Sequence, residues 1–217
     1  MEGWHPAFEE YTEAIFELRE DDVEVIQARI AERLDVSRPA VSEMIHRMDH
    51  EGLVTLQDGI IRLTPAGLEI AERTVRRHRI AERFLTDMLG LPWSVAHAEA
   101  GKWEHVISDV VERAMLEALG NPTTCPHGNP IPGAGYIAPD AVNLSDVPVG
   151  SAFTVQRIPE ALEFADGLLE YLEGAGVVPG EAGSVRAASP DGTVTVEIGG
   201  DTVGIGAFAS TRILVTV

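Results

Sequence analysis

Cysteine is nearly absent: Cys125 is the single one in 217 residues. That excludes an intrachain disulfide framework and suits a reducing cytoplasm, the expected location. Lysine is as scarce, since Lys102 is the only lysine among sixteen basic residues and the rest are arginine. No apolar run approaches the roughly eighteen residues of a membrane-spanning helix, so no membrane partner is expected. The opening Met1-Glu2-Gly3-Trp4-His5-Pro6 has neither a positive n-region nor an apolar core, so no secretory signal is expected there. HExxH, a cysteine pair, a nucleophile elbow and a Walker loop are all missing. Catalysis therefore has little to rest on, and no small organic substrate is expected.

Positive charge is the other shortage. The formal net charge is −19, and an evenly acidic chain would repel nucleic-acid phosphates. Screening confines each charged patch to roughly 8 Å at physiological salt, so distribution outweighs the sum. Hydrophobic content of 45% is ordinary for a folded chain, and the length favours two or three small domains over one core.

What is present begins with a helix over residues 6–19, in which Phe8, Tyr11, Ile15, Phe16 and Leu18 recur near helical spacing. Glu9, Glu10, Glu13 and Glu17 occupy its remaining faces, and any one of them alone reads as solvated. A helix from Val25 to Leu34, a short turn, and a helix from Pro39 to His50 follow. Ser37 is the expected N-cap of the second, which places Pro39 in a first turn that tolerates proline. Val41, Met44, Ile45 and Met48 face inward, leaving Arg38, Ala40, Ser42, Glu43, His46 and Arg47 outward, as on a major-groove recognition helix. Alternating strands around Gln57-Asp58-Gly59 predict a hairpin. Together these elements make a winged helix-turn-helix. Its charge is balanced, with four arginines against four acids from Ala28 to His50, so a module that touches only protein stays open.

Thr64-Pro65 restarts a helix towards Leu89, and Ser94 is expected to cap another to about Leu119. Phe84, Leu85, Met88, Leu89, Trp103, Val106 and Val110 supply apolar surface for a homodimer, which a helix-turn-helix needs to read two half-sites. Residues 121–133 are too rich in proline and glycine to continue a helix. After a linker come five short strands (153–158, 183–188, 193–198, 202–207 and 212–217) and one helix near 164–174. That density of strands predicts a small SH3-like β-barrel. The fold class expected is multidomain and mainly α: residues 1–73 a DNA-binding winged helix-turn-helix, 74–140 a helical dimerisation and metal-binding domain, 141–150 a linker, and 151–217 the barrel.

Imidazoles and carboxylates cluster in the middle. His78 and Glu82 share a helix face, and His97, Glu104 and His105 lie on the next helical segment. Each histidine alone is more often structural, but nitrogen and oxygen donors at this density suggest a divalent metal. Two rivals stay open. A winged-helix regulator of a small organic ligand would need an apolar pocket, and a metallohydrolase would rely on metal-bound water alone.

The order of these elements, with Glu32-Arg33-Leu34-Asp35-Val36-Ser37-Arg38-Pro39, Arg77-His78-Arg79-Ile80-Ala81-Glu82, Leu91-Pro92-Trp93 through Trp103-Glu104-His105, and Asn121-Pro122 through Pro132-Gly133, resembles the diphtheria-toxin-repressor family. The resemblance covers nearly the whole chain and is strongest to the iron-dependent regulators of actinobacteria. It implies a homodimeric, metal-activated repressor of a palindromic operator, with two metal sites per protomer and a FeoA-like third domain. It assigns His78, Glu82, His97, Glu160 and Glu163 to an ancillary site, with Glu163 where the family has glutamine. It assigns Glu10, Glu104 and His105 to a primary site. There the family's cysteine is Gly101, its methionine is Glu10, and Glu13 sits where manganese-responsive members carry a second carboxylate. Harder oxygen donors lean the expectation to Mn²⁺, with Fe²⁺ the alternative. Ser37, Arg38, Pro39, Ala40, Ser42 and Glu43 are the base-edge candidates; Arg29, Arg33, Arg47 and Arg62 are the phosphate candidates.

Overall fold

The computed structural model describes residues 6–217. Met1 to His5, including most of the segment considered above for a signal, lie outside the described residues. Helix α1 (Pro6–Glu20) buries Phe8, Tyr11 and Ile15 against α2 (Gln27–Arg33) and α3 (Arg38–His50). Ser37 caps α3 as expected, its Oγ accepting from Ala40 N at 3.4 Å, and Val41, Ile45 and Met48 are buried beneath it. Strands β1 (Val54–Gln57) and β2 (Ile60–Leu63) pair antiparallel in the register Val54↔Leu63. Asp58 and Gly59 both take positive φ, which matches the right-handed twist of the hairpin. The winged helix-turn-helix is thus as predicted.

Helix α4 (Pro65–Asp87) leaves this head without interruption, so the expected boundary at 73/74 falls inside one continuous helix. The helix expected from Ser94 to Leu119 is two: α5 (Trp93–Trp103) and α6 (Asp109–Ala118). Ser108 caps the second by accepting from Val111 N, and Asp109 and Glu112 sit in its first turn, where acids are favoured. The break puts Glu104 and His105 just past the end of α5, where Glu104 caps the helix with its N–H still donating to Ala100 O at 3.0 Å.

The third domain is an antiparallel sheet in the order β3-β8-β4-β5-β6-β7, formed by β3 (Val142–Asn143), β4 (Ala152–Arg157), β5 (Ala182–Ala188), β6 (Val194–Ile198), β7 (Asp201–Ile205) and β8 (Leu214–Thr216). Residues 141–150, expected as linker, contribute β3, whose Val142 pairs with Val215. The single helix expected near 164–174 is divided into α7 (Glu160–Glu163) and α8 (Leu168–Gly174), and a short α9 (Ala207–Ser210) precedes β8. "Mainly α" is too strong: helix makes up 46% of the described residues and strand 18%.

Two devices hold the third domain on the helices. Gly128, at φ +87°, lets the 121–133 loop approach β4 so closely that a Cβ would overlap Gln156 O. Ile158 N then donates to His127 O at 2.8 Å, and Asn129 Nδ2 donates to Ile158 O at 3.0 Å. The second device is ionic. Arg79, fully buried on α4, donates to Glu20 at 2.7 and 3.0 Å and to Pro130 O, while Arg157 of β4 reaches Glu20 at 2.9 Å and Asp21 at 3.0 Å. One carboxylate, Glu20, thus serves arginines from two other domains. Unpairing a buried guanidinium costs about 3–5 kcal/mol, so these contacts fix where α7 sits.

Candidate metal centre

Three of the five glutamates of α1 are buried, against the solvated reading: Glu9 is 8% exposed, Glu13 9% and Glu17 4%. Glu9 faces His105 just past α5, Glu13 faces His78 of α4 and Glu17 pairs with Arg33, while Glu10 is exposed and Glu20 half-buried. An acidic stripe turned inward needs cationic or protonated partners.

The structure brings the ancillary residues together. His78 Nε2, His97 Nδ1 and Glu82 Oε1 form a triangle with edges of 3.0 to 3.2 Å. Donors about 2.1 Å from one octahedral cation stand about 3.0 Å from each other, so this spacing fits a divalent metal. His97 Nδ1 is also 3.1 Å from Glu163 Oε2, and His97, Glu160 and Glu163 have donor atoms within 4.8 Å of one another. Glu82 Oε2 and Glu160 Oε1 are buried with no hydrogen-bond partner among the described residues, which a bound cation would satisfy.

The primary residues also converge. His105 Nε2 lies 3.1 Å from Glu10 Oε1 and 3.2 Å from Glu104 Oε1. Glu13, His78 and Glu104 form a further set, with His78 Nδ1 2.5 Å from Glu104 Oε2. His78 therefore joins the two sites, one ring nitrogen facing each. Gly101 borders the same cavity of about 240 Å³ as Glu10, Glu13, Glu17 and Glu104, and a Cβ built on it meets nothing within 4 Å.

Charge follows this geometry. Burial raises the Glu13 carboxyl well above its ordinary range, and the Glu104 and Glu17 charges push it further. Burial opposes a proton on His97, but hydrogen bonds to Glu163 and Glu82 outweigh it and hold the imidazole at about 10. His105 is held at about 9, first by its hydrogen bond to Glu10, with burial opposing. In the metal-free protein protons thus occupy places that a cation would take.

Sequence reasoning missed four residues here. Glu9 Oε2 lies 2.8 Å from His105 Nδ1 and fixes the ring, as a carboxylate beside a ligating imidazole does. Glu17 closes the cavity beside Arg33. Cys125 and His127 are both buried in the 121–133 loop and form a donor set with Glu82, with His127 Nδ1 2.9 Å from Glu163 Oε2. The only signal for that pair was a Cys-x-His spacing inside a proline-rich segment.

Of the DNA-face candidates, Ser37, Arg38, Pro39, Ala40, Glu43, Arg47 and Arg62 are exposed, and Ser42 and Arg29 are half-buried. Arg33 is different. Its side chain is 7% exposed and paired with Glu17 at 3.3 Å, so the expectation of a phosphate contact is corrected: its charge is spent inside the protein.

A winged helix-turn-helix whose supporting helices gather carboxylates and imidazoles at coordination spacing defines a class, the metal-dependent DNA-binding regulators. Comparison with known proteins narrows it. Residues 5–58 match the iron dependent repressor N-terminal DNA binding domain, residues 64–133 its metal binding and dimerisation domain, and residues 142–217 the FeoA domain. The chain is 43% identical over 204 residues to the iron-dependent repressor IdeR of Mycobacterium tuberculosis, covering 88% of each. It is 38% identical over 205 residues to the diphtheria toxin repressor of Corynebacterium glutamicum, covering 90% of this chain and 89% of that one. A manganese-dependent transcriptional repressor solved with manganese superposes with a TM-score of 0.85 at 34% identity, over 96% of this chain and 99% of the other. The chain belongs to the diphtheria-toxin-repressor family of metal-dependent transcriptional repressors. These are DNA-binding proteins and not enzymes, which disposes of the metallohydrolase reading.

Proposed function

We propose that this protein represses metal-homeostasis genes in the cytoplasm as a homodimer on a palindromic operator, with Mn²⁺ its preferred activator. The observation that carries the metal choice is the donor set of the primary site. Glu10, Glu13 and Glu104 offer carboxylate oxygen, His78 and His105 offer nitrogen, and position 101 is glycine instead of a thiol; among the described residues Cys125 groups with Glu82 and His127 and not with this set. Hard donors suit Mn²⁺ and Fe²⁺. Fe²⁺ is the second reading, favoured by the 43% identity to an iron-dependent repressor. The cavity between the sites is lined by carboxylates, which argues against a small organic ligand.

Two metal sites per protomer fit these residues: His78, Glu82, His97, Glu160 and Glu163 for one, and Glu10, Glu104 and His105 with Glu13 for the other. A divalent cation bound there supplies the positive charge that lets buried carboxylates converge. Glu10 and Glu13 belong to the reading head, Glu104 and His105 to the helical domain, and Glu160 and Glu163 to the third domain. Ligands drawn from three domains tie the arrangement of the heads to occupancy. Moving such a balance from 1:99 to 99:1 takes about 5.5 kcal/mol of differential affinity. Met88, Leu89, Val106 and Val110 stay exposed on the helical domain, as an unpaired dimer face would be.

A gel shift on DNA upstream of the protein's own gene, with Mn²⁺, with Fe²⁺ under anaerobic conditions, or with chelator, tests the core of this reading. Retardation is expected with metal and is lost with chelator; equal binding in chelator would sink metal activation.

The histidines make a second prediction. A folded pKa above the ordinary 6.5 means that the ion pairs of His97 and His105 stabilise the metal-free protein fully below pH 6.5 and fade through about 9 to 10. Coordination needs neutral rings, and against burial the Glu82 and Glu104 carboxylates hold His78 well above 6.5 as well, so Mn²⁺ uptake at pH 7.5 should release at least about two protons per protomer, and affinity should rise with pH. Calorimetric titration in buffers of different ionisation enthalpy reads that number directly. A heat independent of buffer would reject both histidines as ligands.

A further inference from the structure

Phe164 follows Glu163 directly and ends α7, yet it remains 50% exposed instead of joining the core of its own domain. Its ring meets the two other domains. The His97 ring stands edge-on to it, with centroids 5.4 Å apart and planes at 88°. On the other side the Arg33 guanidinium carbon lies 4.1 Å from the ring centroid. Arg33 is the last residue of α2, and its only ion pair among the described residues is with Glu17. Arg33 Nε is buried without a hydrogen-bond acceptor, so one carboxylate and the ring face hold the guanidinium. A cation within about 6 Å of an aromatic face is attracted by the ring quadrupole, more strongly where water is kept out.

We propose that Phe164 is a positioning residue that carries the state of the Glu160–Glu163 segment to the helix-turn-helix through Arg33. The inference rests on reading Glu160 and Glu163 as metal ligands. Its leverage is local. The ring is one residue from Glu163, so fixing that carboxylate fixes the ring. Arg33 directly precedes the turn in which Asp35 takes φ 50° and Ser37 caps α3. A shift at Arg33 therefore moves the start of the helix that carries Ser37 to Glu43. The Arg79–Glu20–Arg157 contacts also join the domains, but they act on the end of α1 and not on α2. Ala161 N donates to Asp21 in the same region, and of these contacts the aromatic stack is the one that reaches α2.

The test compares wild type, Phe164→Leu and Phe164→Trp as full-length chains, with and without Mn²⁺. Electron paramagnetic resonance counts the bound Mn²⁺, and hydrogen exchange reads the amides of residues 31–42. Leucine keeps apolar bulk without a π-face, and tryptophan keeps the face, so a half-exposed site should tolerate both. In wild type and Phe164→Trp, Mn²⁺ should slow exchange at the turn. In Phe164→Leu that gain should shrink about tenfold while the number of bound ions is unchanged. An undiminished gain in Phe164→Leu would overturn the inference alone. So would loss of bound Mn²⁺ in that variant, because the ring would then serve the ligands. No uptake by wild type would overturn the metal reading, and this inference with it.

Discussion

Replacing Glu104 by alanine is expected to abolish the metal response of DNA binding. The side chain is 3% exposed and uses its two oxygens for different partners, Oε2 towards His78 and Oε1 towards His105. Its loss would take a ligand from the primary site and leave His78 Nδ1 without the carboxylate that orients it towards the ancillary site. Losing a partner that merely orients a ligand lowers metal affinity about 10–100-fold, so losing a primary-site ligand that also orients His78 should cost at least about a hundredfold, or about 2.7 kcal/mol. The metal-free protein should respond in the opposite sense. Glu104 is the largest charge acting to keep Glu13 protonated, second only to burial, so removing it relieves a buried repulsion. The variant should therefore fold and dimerise, bind Mn²⁺ at least a hundredfold more weakly in titration, and fail to shift DNA at concentrations that saturate wild type. Glu104→Ala with wild-type affinity and stoichiometry would reject the primary site as drawn here.

Much of the fold could be read from periodicity and capping. The head needed only the Ser37 cap, the inward spacing of Val41, Ile45 and Met48, and the Asp58-Gly59 turn, all of which are local signals. What failed was non-local. Apolar residues run on through 94–119, and that pattern hides the break at residues 104–108; Ser108 followed by Asp109 and Glu112 was the capping signal to notice. Val142 and Asn143 form too short a strand for alternation to show, and only pairing with β8 defines it.

The site divides in the same way. Glu9, Glu13 and Glu17 recur every four residues, which is equally the pattern of a solvated face. Only their distant partners, His105 for Glu9, His78 for Glu13 and Arg33 for Glu17, mark them as buried. The ligand sets followed from family resemblance, residue by residue, and the structure brings those residues within coordination spacing. The part that Cys125 and His127 play depends on a glycine, Gly128, letting their loop lie against β4, which no spacing rule contains. Arginine placement was the least legible feature. Arg33, Arg79 and Arg157 are consumed by interior carboxylates, so a chain with few cations keeps still fewer for phosphates.

Gly101→Cys is expected to turn the primary site towards softer metals. Position 101 lies in α5, three residues before Glu104, with a helical backbone conformation that any residue adopts. The space around it is open, so a cysteine enters without overlap and gains about a few tenths of a kcal/mol of helix propensity over glycine. The thiol would border the cavity that holds Glu10, Glu13 and Glu104, whose negative charges disfavour a free thiolate. Only a bound cation reverses that balance, and it does so most strongly for Co²⁺ and Zn²⁺, which bond well to sulfur. The ratio of Co²⁺ to Mn²⁺ affinity should rise about a hundredfold, a shift comparable to removing or adding one strong ligand. Sulfur-to-cobalt charge-transfer absorption in the near ultraviolet should appear in the variant alone. Gly101→Ala shares the helix gain and lacks the sulfur, so it should keep the wild-type ratio and show no such band. If the cysteine variant also shows neither change, position 101 lies outside the coordination sphere. The glycine would then have no part in choosing the metal.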